Sequence, residues 1–144
     1  MAVANLQLLR DALAKVGESG ELDAASTLLT VDKDGYPFVC LLTSRQLAVH
    51  ATQLVALVQS RRTLANLEGS GRATLHLVHD GASVTANLEL RSSRTNHERT
   101  LLYFDVASLE AERRSTILTP IMYHLDDHIL AREGADIHET LEEP

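Results

Sequence analysis

The segment Gln59-Ser60-Arg61-Arg62-Thr63 places two adjacent cations and two hydroxyls at the start of a helix predicted to run through Leu64-Ala65-Asn66-Leu67. A helix N-terminus already carries about half a positive charge, so Arg61 and Arg62 add to it unless something anionic is present. A phosphate answers that need. It can accept bonds from the first-turn backbone N–H groups, from the hydroxyls of Ser60 and Thr63, and from the guanidinium forks of Arg61 and Arg62. The same residues also have a plainer reading, in which the arginines are solvated or pair with the protein's own carboxylates and Ser60 merely caps the helix. Basic residues in a first turn cost only about 0.3–1 kcal/mol, so these residues alone leave both readings open.

Other reactive side chains carry less. His124-Leu125-Asp126-Asp127-His128 puts two imidazoles one helical turn apart, a spacing that suits a divalent metal, but no third and fourth ligand accompanies them and no metal site is expected. Cys40 lies in an apolar run, where a thiol behaves as a small hydrophobe. His76 and His79 flank a strand end and its turn, with no nucleophile motif beside them. No acid, base or nucleophile motif assigns a catalytic residue.

These residues must be positioned by a small sheet protein. Leu6, Leu9, Leu13 and Val16 recur at helical spacing, which predicts an amphipathic helix over 5–16. Ala25 to Val31 reads as a strand ending in the turn Asp32-Lys33-Asp34-Gly35. Tyr36 to Thr43 is the returning arm, and its unbroken run Phe38-Val39-Cys40-Leu41-Leu42 predicts a strand covered on both faces. Leu47 to His50 and Leu54 to Val58 follow as short strands. The helix from Ser60 is expected to last two turns at most before Gly69-Ser70-Gly71 stops it. Arg72 to Val78 and Ser83 to Arg91 form a second hairpin about His79-Asp80-Gly81, with Val84, Ala86, Leu88 and Leu90 on one face. Ser92 to Arg99 reads as a polar loop and Leu101 to Val106 as a strand. Thr119-Pro120 suggests the start of a helix over 119–130, and the acidic tail 132–144 is expected to be loosely held.

The fold class is therefore mainly β (α+β): one domain over residues 1–144, a small antiparallel barrel with its core at 25–106 and peripheral helices. The formal charge of −7 disfavours nucleic acid and anionic membranes, so an anion site has to be a local basic patch. The lone Cys40 fits a reducing cytoplasm, and no stretch is long enough to span a bilayer.

Three pieces, in order, are Thr27-Leu28-Leu29-Thr30-Val31-Asp32-Lys33-Asp34-Gly35-Tyr36-Pro37, then Gln59-Ser60-Arg61-Arg62 with Ala65-Asn66-Leu67, then Gly71-Arg72-Ala73-Thr74-Leu75. In this order and spacing the chain resembles the pyridoxamine 5′-phosphate oxidase-like family of FMN-binding split β-barrels, over about Ala25 to Val106. The resemblance implies FMN as cofactor, with its phosphate on Ser60, Arg61 and Arg62 where the family has Ser-Arg-Lys. Arg in place of Lys keeps the charge and adds a bidentate fork. It also implies backbone contacts to the flavin ring from Val39, Cys40, Leu41 and Leu42, and it brings Thr63 and Asn66 of the matched helix into the cofactor site. A homodimer with the flavin between two barrels follows from the same likeness. The expected function is an FMN-binding oxidoreductase acting on an unidentified small molecule; the alternative is a non-catalytic or FMN-free module of the same fold that binds another phosphorylated ligand. The chain lacks Trp, its region after Val106 departs from the family pattern, and the vitamin oxidase's substrate-phosphate residues are not found.

Overall fold

The structure is a computed structural model that describes residues 6–14, 22–97, 99–113, 118–124, 137 and 141. Helix α1 (Gln7–Ala14) is followed by β1 (Leu22–Val31), β2 (Pro37–Thr43), a single 3-10 turn (Ser44–Gln46), β3 (Leu47–His50), β4 (Gln53–Val58), α2 (Arg61–Ser70), β5 (Arg72–His79), β6 (Ala82–Asn96), β7 (Arg99–Glu112) and β8 (Met122–His124). All pairings are antiparallel, in the order β2-β1-β5-β6-β7-β4-β3, with β8 beside the start of β1.

The strands wrap around one core because their apolar residues alternate. Leu28, Leu75, Ala86, Leu88, Leu54, Leu102 and Phe104 point inward and are almost fully buried, and Leu9 of α1 and Leu6 just before it belong to the same cluster. Each such Leu or Phe stabilises the fold by roughly 1.5–3 kcal/mol. No strand pairs with the outer edge of β2 or of β3 among the described residues, so the sheet curls round without closing its hydrogen-bond ladder there. The 3-10 turn bridges that gap. Gln46 Oε1 accepts from the Thr43 N–H at 2.9 Å, fixing the corner between the two edge strands.

Several expectations are corrected. Strand β2 is not covered on both faces: Val39 is 51% and Leu41 is 47% exposed, while Leu42 faces the core. The doubly covered strand is β4, in which Leu54, Ala56 and Val58 face the core while Val55 and Leu57 join a second cluster with Ala48, Leu101 and Ile137. Ile137 is fully buried and Leu141 packs beside it, so the acidic tail sends an apolar anchor onto the barrel. Helix α2 runs through Gly69 and Ser70 for ten residues and ends only at Gly71, whose φ of 68° supplies the left-handed C-cap.

The polar stretch 92–99 continues β6 to Asn96 and begins β7 at Arg99, with a tight turn at His97 (φ 49°) instead of a loop. Pairing with β7 overrides its low strand propensity. Two bulges, one on each strand, interrupt the β6–β7 ladder: Ala107 is the extra residue on β7 and Arg91 the extra one on β6. The helix expected at 119–130 is not present at its start. Leu118–Ile121 has no regular structure and Met122–His124 forms β8, because pairing of this segment with Leu22–Ala24 takes its backbone bonds; 125–130 lies outside the described residues.

Candidate functional site

Ser60 stands in extended backbone at the N-cap of α2. Its Oγ accepts from the Thr63 N–H at 3.2 Å and from the Thr63 hydroxyl at 3.0 Å, so its own O–H remains as a donor. The N–H groups of Arg61 and Arg62 belong to the first turn and have no intrahelical acceptor. Beneath them the helix is pinned to the barrel. Thr63 is fully buried and its side chain lies next to Cys40 on β2, and Asn66 Nδ2 donates to Thr30 Oγ1 on β1 at 3.0 Å. Thr63 and Asn66 therefore turn their side chains inward.

The two arginines differ. Arg62 lies 3.5 Å from Asp32 Oδ2, and its guanidinium carbon is 4.7 Å from the centre of the Phe38 ring. Asp32 Oδ1 accepts from the Asp34 and Tyr36 N–H groups, each at 2.9 Å, which closes the β1–β2 turn about Gly35. Those bonds, that of Tyr36 foremost, with help from Arg62, hold the Asp32 carboxyl below its ordinary pKa. Arg61 is exposed and has no side-chain partner among the described residues. Sequence reasoning missed Asp32 and Phe38, which set how Arg62 is held. The signal available was Asp32 itself: an Asp opening a turn that ends in Gly is a backbone-bonding residue, with its second oxygen left for a cation.

Strand β2 runs beside this helix start. Cys40 faces inward, where burial pushes its thiol pKa up, an effect partly offset by Thr63. Val39 and Leu41 face outward with Leu29 and Thr27 opposite them on β1. The same outer face continues into a polar ladder in which Thr74 Oγ1 donates to Asn87 Oδ1 and Asn87 Nδ2 donates to Ser108 Oγ, both at 2.9 Å. The sequence-predicted residues Ser60, Arg61, Arg62, Thr63 and Asn66 thus share one helix, and Val39–Leu42 lie on the strand that Thr63 touches. On the other side of Arg62, an open groove of about 540 Å³ separates the β1–β2 turn from α2, lined among others by Asp32, Lys33, Arg62, Ala65 and Gly69.

His124 lies in β8, so the helical spacing to His128 is not realised at that end; His128 is outside the described residues. Among the described residues no cluster of three or more potential metal ligands occurs. No described helix is long and apolar enough to cross a membrane.

Solved structures share this strand arrangement. A putative flavin reductase with a split-barrel domain from Shewanella frigidimarina superposes with a TM-score of 0.56 at 10% identity, covering 88% of this chain and 96% of its own. The fold is the split β-barrel. The styrene monooxygenase flavin reductase of Pseudomonas putida matches with a TM-score of 0.60 at 11% identity, over 82% of this chain and 92% of that one. Nitrilotriacetate monooxygenase component B from Mycobacterium thermoresistibile gives 0.58 at 12% identity, over 83% of each chain. No family model and no curated protein matches the sequence.

Proposed function

We propose that this split barrel binds the phosphate of a flavin nucleotide at the start of α2 and acts as a flavin-dependent oxidoreductase, with FMN as the minimal cofactor. The observation that carries this reading is the placement of Ser60, Arg61 and the unbonded first-turn N–H groups on a helix that packs on β2 through Phe38 and Cys40, in a fold shared with flavin reductases. The donor set fits a dianion: one hydroxyl, two backbone N–H groups and a guanidinium with no competing carboxylate among the described residues. When bound, a flavin supplies the hydride or electron transfer, which explains why no acid, base or nucleophile is needed from the chain. The chain's own residues bind and orient. Ser60 and Arg61 hold the phosphate, Arg62 stays tied to Asp32 and fixes the adjacent turn, and the backbone of Val39–Leu42 lies where it can meet the ring.

Val31, Val39 and Leu41 remain half exposed on one face, and a two-fold related copy laid there would take them from water and wall in the ring. A homodimer in a reducing cytoplasm, acting on a small molecule, completes the reading; the net charge of −7 supports the exclusion of nucleic acid and anionic membrane.

A second reading rests on one specific observation: the helix start is partly satisfied without a ligand, since Ser60 caps Thr63 and Arg62 pairs with Asp32. In that reading the barrel is a flavin-free binding module. An absorbance spectrum of the purified protein, followed by FMN titration into wild type and an Arg61→Ala, Arg62→Ala double variant, separates the two. Flavin bands, or binding lost in the variant, support the first; a colourless protein that ignores FMN supports the second.

A further inference from the structure

We propose that the groove between the β1–β2 turn and α2 holds the part of a flavin nucleotide that extends beyond its first phosphate, so that the dinucleotide is preferred over FMN. The proposal rests on the flavin reading above.

The groove is about 540 Å³, within the size range of small-molecule sites. It begins where the proposed phosphate site ends, because Arg62 lines it while Ser60 and Arg61 immediately precede Arg62 at the helix start. Beyond Arg62 its helical wall is low: Ala65 and Gly69 lie one turn apart, and a Cβ built on Gly69 would meet nothing within 4 Å. A glycine inside a helix costs about 1 kcal/mol relative to Ala, and here it keeps that wall open.

The groove lining carries Arg62 and Lys33 together with Asp32 and Asp34, so its cations suit one further phosphate near Arg62, followed by an uncharged base. Arg62 is 62% exposed and only loosely paired with Asp32, whose other oxygen is engaged by two backbone N–H groups. It can therefore meet an incoming anion without abandoning Asp32, and Lys33 lines the same groove. The far end, at Gly69 and Ser70, is the C-terminal end of α2, where partial negative charge favours amino donors over further phosphates. A purine edge carries such a donor.

The test is equilibrium titration of FMN and FAD into wild type, Gly69→Ala and Gly69→Leu, with a thermal melt of each protein. The space around Gly69 lets both side chains enter without displacing the fold. Wild type is expected to bind FAD more tightly than FMN. Gly69→Leu should weaken FAD by about tenfold and leave FMN within about twofold, with Gly69→Ala in between or unchanged. Equal loss of both flavins, or an FAD affinity indifferent to Gly69→Leu while FMN still binds, overturns the groove assignment alone. Binding of neither flavin by wild type overturns it together with the flavin reading.

Discussion

Asn66 Nδ2 donates to Thr30 Oγ1 at 3.0 Å in a layer from which water is almost absent, Thr30 being 1% and Asn66 9% exposed. This bond ties the middle of α2 to β1 and so fixes where the helix start lies relative to the hairpin. Asn66→Ala leaves the Thr30 hydroxyl without its partner and should cost about 1–3 kcal/mol in urea unfolding. Adding Thr30→Val should recover part of the loss, since removing both polar groups avoids the stranded one.

The two arginines should separate by assay. Arg61→Ala is expected to abolish or strongly weaken flavin binding while leaving the melting temperature within about a degree, because surface changes away from special features are nearly neutral. Arg62→Ala should lower the melting temperature as well, since it removes both the Asp32 pair and the contact with Phe38; that contact is worth about 0.5–1 kcal/mol at an exposed site. Equal melts for the two variants contradict this division.

Acid should act through Asp32. Its folded pKa lies below the ordinary 3.8, so it stabilises the native state at any pH above that value, and the contribution fades as the carboxylate is protonated below it. Asp32→Asn should therefore destabilise near pH 7, and the gap to wild type should close as pH falls below the ordinary 3.8. Asp105, lowered first by Arg91 and then by Gln53, predicts the same sign for Asp105→Asn. Melting curves across this range provide the check.

Gly71 caps α2 with φ 68°, a backbone that a Cβ disfavours. Gly71→Ala should cost about 1 kcal/mol, read as a lower denaturation midpoint with an unchanged m-value.

Ile137→Ala should cost about 2–5 kcal/mol, because this side chain is fully buried against Ala48, Val55, Leu57 and Leu101. A smaller effect than 1 kcal/mol would mean that the tail adds little to the barrel.

The parts legible in the sequence are those governed by local pattern. The 3.6-residue period of Leu6, Leu9 and Leu13 gave α1, Asp32–Gly35 the first turn, and the alternation from Val84 to Leu90 the inward face of β6. What failed depends on partners far along the chain. Nothing local distinguishes the apolar run of β2, which ends at an open edge, from that of β4, which Ile137 covers from more than 70 residues away. The polar residues 92–96 became strand because β7 lies beside them. At the site, Ser60 and the arginines stood out as types, whereas the division of labour between Arg61 and Arg62 rests on Asp32, a turn residue thirty positions earlier.

The bulges at Ala107 and Arg91 also bear on how chain length can vary in this barrel. Leu102, Phe104 and Val106 face inward, and beyond Ala107 the inward phase passes to Leu109, opposite Ala86. Removing Ala107 would keep Val106 opposite Leu88 and Ser108 opposite Asn87, and every neighbour would hold its side of the sheet. Removing Ser108 instead would leave Ala107 to take its place, whereas removing Leu109 would swing Glu110 towards the core. The long hairpin thus contains slack at defined places: one-residue deletions there change its bend and leave its register intact, while the same deletion two residues away turns the pattern inside out.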